Sequence, residues 1–355
     1  MPHYGVFIDP SEYRHNNLNF NGGRLRAFAD VAQKDWLTYL QTDISVQETK
    51  KRIKEDIHTA SRVFARSDAS VIKSVDDPRL DVFRTPPDID ELVGTLTTQF
   101  EDHLHYGQCE VLSVANIDPS TVFDDYFAQV PPFDVVADQK RKKKHEFPDA
   151  FTLKRLVMWA EAHDTLVYVV ANDPDLERVC AVQDPLLFFQ KIEALLDHLH
   201  RADALVQQLH QRPQTLVQKL TQFIQDDFAD RAFVPLYNDH GEVENVEVEQ
   251  VSIGDVYALE VGDGVVKAEA EAEVTFAADV SYEDLDTGFY DKEAGRHYMT
   301  EFVSLEVQDT VTVNVLFDFS VSGDDGDEPI VSSPSIIEDT ISVEEEDRGD
   351  YGMYK

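Results

Sequence analysis

The chain has 355 residues, 42% of them hydrophobic, and its 69 Asp and Glu outnumber 31 Lys and Arg to give a formal net charge of -38. That length allows two domains and a sizeable core, and the apolar share excludes a chain disordered throughout. Two cysteines, Cys109 and Cys180, are too few for a disulfide framework or a cysteine-built zinc site.

The first ten residues, MPHYGVFIDP, show no basic region followed by a long apolar stretch, so no secretory leader is expected. Nor does any run reach the roughly 20 apolar residues that cross a bilayer, so a cytoplasmic protein without a membrane partner is expected. Tyr4 to Ile8 is short, apolar and partly β-branched, and it stops at Asp9-Pro10, which predicts a buried strand ended by a turn. A helix is expected over about Gly23 to Lys34, with Leu25, Phe28, Ala29 and Ala32 on one face. Trp36 to Gln41 predicts a second strand, after which Thr42, Asp43 or Ser45 caps a helix running to about Ala65.

Prolines at 78, 86 and 87 interrupt the next stretch before a helix over about Asp88 to His103, striped by Ile89, Leu92, Val93 and Leu96. Glu110 to Val114 predicts a strand, and residues 118–147, with three prolines and the basic run Lys140, Arg141, Lys142, Lys143 and Lys144, read mainly as a loop. Pro148-Asp149 opens a helix to about Ala162, followed by a buried strand at Leu166 to Val170. Pro185 to about Phe228 reads as helical, broken at Pro213. Alternating strands and helices predict an α/β domain with a central, mainly parallel sheet over residues 1–185, followed by a helical connector at 186–230.

Past residue 230 the period changes to two. Val266, Ala268, Ala270, Ala272, Val274, Phe276, Ala278, Val280 and Tyr282 alternate with polar residues, as do Val303, Leu305, Val307 and the odd positions from Val311 to Val321. An antiparallel β domain is expected over 231–322, with residues 323–355 as an acidic, disordered tail. From residue 231 onward 32 acidic residues face 6 basic ones, leaving 37 against 25 in residues 1–230. Phosphate affinity comes from Lys and Arg releasing counterions, so a general polyanion-binding face is excluded and any nucleic-acid site has to be local.

Four acids sit where this topology brings residues to one edge. Asp9 and Asp173 follow strands, while Glu48 and Asp149 lie in the first turns of helices that point to the same edge of a parallel sheet. Carboxylates gathered there suit Mg²⁺ or Mn²⁺, hard cations that take oxygen ligands. Each acid taken singly also reads as a solvated surface group, Asp149 as a charge at a helix start and Asp173 as a turn residue before Pro174.

Taken together, YGVFIDPSEY, TDISVQETKKRIKE, EFPDAFTLKRLVMWA and TLVYVVANDPDLERV resemble the four acidic motifs of the PIN-domain superfamily, in a PIN-like branch with a long first-strand loop and an inserted helical region. The resemblance spans residues 1–185. It implies a PIN-like fold and a metal-dependent endoribonuclease that leaves 3′-hydroxyl and 5′-phosphate ends. Asp9, Glu48, Asp149 and Asp173 would then be the catalytic metal-binding acids, Asp175 an outer ligand, and Mg²⁺ or Mn²⁺ the cofactor. One position departs from the pattern: Ala171 stands two residues before the last acid, where PIN motifs often carry Ser or Thr.

Lys140 to Lys144 precede Asp149 and are the expected substrate contacts, with RNA favoured over DNA. Asn16, Asn17, Asn19, Asn21, Arg24 and Arg26 form a second polar candidate. The histidines at 58, 103, 105, 145, 163, 198, 200 and 210 have no zinc spacing and read as solvated or core-edge residues. A second copy or a protein partner is assigned to the C-terminal β domain. The alternative to a nuclease is a catalytically silent PIN scaffold that binds a protein or nucleic acid.

Overall fold

The computed structural model describes residues 3–62, 87–133, 146–211, 213–237, 241–284, 287–291, 296–298, 300–322 and 328–344. It divides into two compact units, Met1–His198 and Leu199–Lys355.

The first unit runs β1 (Tyr4–Ile8), α1 (Pro10–His15), α2 (Gly23–Ala32), β2 (Leu37–Thr42), α3 (Asp43–Ala60), α4 (Ile89–Tyr106), β3 (Glu110–Leu112), α5 (Pro119–Ala128), α6 (Phe147–His163), β4 (Val167–Val170), α7 (Pro174–Cys180), β5 (Leu186–Phe189) and α8 (Ile192–His200). Its five strands form one sheet in the order β3-β2-β1-β4-β5. Every pairing in it is parallel. The chain winds outward through β2 and β3, then returns to the other side of β1 for β4 and β5. Strand order therefore reverses between β1 and β4, and a crevice opens there beyond their carboxyl ends.

The sheet is buried because its strands are nearly continuous apolar runs, as parallel strands covered by helices require. Val6, Phe7, Ile8, Val167, Val169 and Val170 are all buried. Gly5 matters for close approach: a Cβ there would lie 2.7 Å from Leu40 Cδ1 and 2.8 Å from Trp159 Cζ3. Trp159 of α6 is buried and its indole nitrogen donates to Glu110 Oε2 at 3.2 Å, so it has little room to retreat. Gly5→Ala is expected to cost about 1–3 kcal/mol through overpacking. Urea denaturation measures this, and an unchanged midpoint would show that the indole gives way freely.

Three expectations are corrected here. Residues 186–189, read as helix, form the edge strand β5, because a short apolar run serves either element and pairing with β4 decides it. Within 118–147, read mainly as loop, Asp118 caps α5 through its bond to Ser120 N and Pro119 occupies the first helical turn. The helix starting at Asp43 closes at Ala60 rather than Ala65.

The second unit contains α9 (Ala204–His210), α10 (Gln214–Asp227), β6 (Ala232–Pro235), β7 (Glu242–Gly262), β8 (Val265–Asp284), β9 (Phe289–Asp291), β10 (Arg296–Tyr298), β11 (Glu301–Ser322), β12 (Glu328–Ile336) and β13 (Thr340–Val343). Its main sheet has the order β12-β11-β8-β7. All pairings in it are antiparallel. The alternation from Val266 to Tyr282 is buried at every apolar position. Leu216, Leu220 and Ile224 of α10 join the same apolar cluster. The segment expected as a helical connector is thus split: β5 completes the first sheet, while α9 and α10 cover the second. The segment expected as a disordered tail carries β12 and β13. Its acidity misleads because β12 is an edge strand, where Pro329 and charged residues are tolerated, and β13 pairs with β6.

Candidate active site

The site is assembled at the β1–β4 reversal. Asp9 ends β1, its backbone N–H donating to Val170 O at 2.9 Å, so the last residue of β4 holds it at the strand edge. It also caps α1, and Ser11 N donates to its Oδ1 at 2.8 Å. Burial raises its carboxyl to about 6 against the two Ser11 bonds, with Glu48 adding to the rise and Arg52 opposing it.

A buried polar network supports this edge from below. Gln41 Nε2 donates to Ile8 O at 2.8 Å and to Tyr13 Oη at 2.9 Å, and its Oε1 accepts from Ser45 Oγ at 2.7 Å. The Tyr13 and Tyr39 hydroxyls bond to each other. Ser45 and Thr42 also form the reciprocal cap that starts α3. The Thr42 hydroxyl reaches Thr152 Oγ1 of α6 at 3.1 Å. Strand β1, helix α3 and helix α6 are therefore locked together where Glu48 and Asp149 emerge.

Glu48, Asp149 and Asp173 line one cleft of 610 Å³, together with Glu146, Lys51 and Arg52. Glu48 is held by Arg52 on the next turn, Nη2 to Oε1 at 2.6 Å. Asp149, in the first turn of α6, is pushed up to about 8 by burial and then by Asp9, Glu48, Glu146 and Asp173. The helix start favours a negative charge at Asp149, yet burial and the crowd of like charges outweigh it. Asp173 caps α7, accepting from Asp175 N at 2.8 Å.

Three of the four expected acids line one cleft with Glu146, which sequence reasoning missed, while Asp9 lies outside its lining but close enough to act on the Asp149 carboxyl. Glu146 is buried just before α6. The string Glu-Phe-Pro-Asp was its signal, since a residue preceding a proline-started helix sits at the same edge as the first turn. Asp175 is buried and bonded to Arg178 at 2.9 Å, outside the cleft lining. Among the described residues no three His, Cys, Asp or Glu side chains stand at metal-holding spacing. The donor chemistry nonetheless fits a hard divalent cation, since the side chains of Glu48, Glu146, Asp149 and Asp173 at the cleft offer only carboxylate oxygens.

The expected substrate contacts Lys140, Arg141, Lys142, Lys143 and Lys144 lie outside the described residues. Three members of the second candidate have partners within the fold: Arg24 lies 3.7 Å from buried Glu193, Arg26 stacks 3.8 Å over the Tyr106 ring, and Asn16 donates to buried Glu12. These groups are used inside the fold. His103 is buried against Tyr13, Phe20 and Tyr39, and burial lowers its pKa to about 4, in keeping with a core-edge histidine.

Residues 6–176 match a family model described as PIN domain. Comparison with curated proteins and with solved structures finds no match to the chain. Among the described residues no helix is long and apolar enough to cross a membrane.

Proposed function

Because residues 6–176 of this chain are a PIN domain, a domain of the nuclease superfamily, we propose that the β1–β4 cleft hydrolyses phosphodiester bonds in RNA with Mg²⁺ or Mn²⁺. One observation carries this reading: Asp149 is buried beside Glu48, Glu146 and Asp173 at one cleft, and burial first, then these acids and Asp9, raise its carboxyl to about 8. Such crowding costs stability and is relieved by a cation. Asp9, Glu48, Asp149 and Asp173 would hold it, with Glu146 adding negative charge at the rim. Asp175 would act only indirectly, through the turn that presents Asp173. A bound divalent cation lowers the pKa of the attacking water and stabilises charge on the phosphoryl oxygens.

The side chains set the proton traffic. Asp149, and Asp9 with its carboxyl at about 6, must release protons before both can serve as ligands. Mn²⁺ affinity is therefore expected to rise about tenfold or more between pH 6 and pH 8, with proton release on binding. Calorimetry in buffers of different ionisation enthalpy measures both. A flat affinity over that range would contradict the proposed ligand set.

Cleavage of a mixed RNA and DNA panel with Mn²⁺, repeated on Asp9→Asn, tests the function. RNA cut by the wild type and spared by the folded variant is the expected result. Wild-type rates in Asp9→Asn would sink the assignment, and preference for DNA would overturn the RNA part. The second reading, a silent scaffold, is favoured by Ala171 in place of a hydroxyl residue. An intact protein that binds no Mn²⁺ would select it.

A further inference from the structure

Arg52 is a cation that the cleft turns toward its own acids. It stands one turn after Glu48 on α3, with Nη2 at 2.6 Å and Nε at 3.2 Å from a single Glu48 oxygen. Its side chain is 34% exposed, so the guanidinium is neither sealed in nor free in bulk water. Burial opposes its charge, but Glu48, Asp9 and Asp149 outweigh that and hold the guanidinium firmly protonated. Partly exposed pairs at this helical spacing contribute little to stability, so the fold does not require Arg52.

Glu48 has two claimants under the function proposed above, on which this inference rests. A cation that takes the Glu48 carboxylate weakens it as an acceptor for Arg52. The planar guanidinium fork then faces the cleft with donors to spare, and two phosphate oxygens match it. A second cleft of 470 Å³ continues from the first, sharing Glu48, Lys51 and Arg52 and extending to Arg14. Arg14 meets Asp56 at 3.0 Å and Lys51 meets Glu55 at 3.7 Å, both through largely exposed cations that exchange partners at little cost.

We propose that Arg52 binds the scissile phosphodiester once a divalent cation occupies the carboxylates, and that the RNA backbone leaves the cleft along the groove past Lys51 to Arg14. In the metal-free protein the same guanidinium serves as counter-ion to Glu48. The strand path thus lies over α1 and α3 of the first unit.

Fluorescence anisotropy of a labelled single-stranded oligoribonucleotide tests it on the full chain, with Ca²⁺ as the divalent cation. Arg52→Ala is expected to weaken binding at least tenfold and to reduce the salt dependence by about 0.7 in log–log slope for one lost phosphate contact. Arg52→Lys should recover the slope but only part of the affinity, since a point charge replaces the fork. Arg14→Ala with Lys51→Ala should lower the slope further. Mn²⁺ affinity, read by calorimetry, should stay the same or tighten in Arg52→Ala because Glu48 loses a competitor. A merely structural Arg52 would weaken Mn²⁺ binding and leave the RNA slope unmoved, and that pattern overturns the proposal. So does a wild type that fails to bind the oligonucleotide at low salt. The two readings separate cleanly. If the wild type cuts RNA and Arg52→Ala keeps its KM, this inference falls alone; if nothing is cut while RNA binding still tracks Arg52, the catalytic reading falls alone.

Discussion

Replacing Asp149 with Asn is expected to abolish RNA cleavage while making the metal-free protein harder to unfold. Both effects have one cause. Asp149 lies in a cleft where burial and four neighbouring acids raise its carboxyl to about 8. In the unfolded chain the same group titrates near the ordinary 3.8. Well below pH 3.8 both states hold the proton and the group costs nothing. As pH rises the unfolded chain releases its proton first, so stability falls steadily and the loss is complete only above pH 8. Asn cannot titrate, which removes that slope. The variant should gain on the order of 2–4 kcal/mol over wild type at pH 8 and almost nothing at pH 3. Cleavage should drop by about 10²-fold or more, since an essential ligand oxygen is gone. Thermal melts in EDTA at several pH values, paired with cleavage assays in Mn²⁺, read the two effects separately. A variant with an unchanged pH slope would show that Asp149 is solvated, and one that still cuts would remove it from the chemistry.

Truncating Phe276 to Ala should cost about 3–5 kcal/mol, the largest stability loss expected of any single change here. Phe276 lies on β8, a central strand flanked by β7 and β11, and it has no exposed surface. Its ring centroid is 5.2 Å from Phe228 and 5.7 Å from Phe233. Backbone pairing on both sides prevents β8 from sinking into the vacated space, so the cavity stays open. Phe302 provides the control: it is 80% exposed on β11, and Phe302→Ala should move stability by no more than about 0.5 kcal/mol. Urea denaturation of the two variants decides the matter. Equal losses would mean that the period-two pattern does not report which face is buried.

How much was legible follows from which signals are local. Alternation from Val266 to Tyr282 needs only a one-sided sheet to be read, and every apolar position in it is buried. That Asp9, Glu48, Asp149 and Asp173 stand at strand ends and helix starts was legible because such positions have sequence marks: Asp9-Pro10, the Thr42–Ser45 cap, Pro148 and Asp173-Pro174. Residues 186–189 were not, since four apolar residues carry no period and only β4 decides their state. Asp118-Pro119 was a helix start lost among neighbouring prolines. Asp175 was expected as an outer ligand from the resemblance to PIN motifs. Its side chain turns to Arg178 because α7 begins between Asp173 and Asp175 and sends them in different directions. Arg52 was hidden for the opposite reason: on a helix rich in Lys, Arg and Glu, nothing local distinguishes the cation that meets a motif acid.

The strand order β3-β2-β1-β4-β5 also governs when the cleft can exist during synthesis. Asp9 is held by Val170, and Asp149 and Asp173 come from the far end of the domain. At roughly 5–20 residues per second, a ribosome makes Asp9 about 8–30 s before Asp173. Over that interval the emerging chain can pair β1 with β2, but this edge of the sheet has only half of the four acids. A chain abandoned before residue 149 lacks both Asp149 and Asp173, so premature release yields a fragment that cannot complete the cleft.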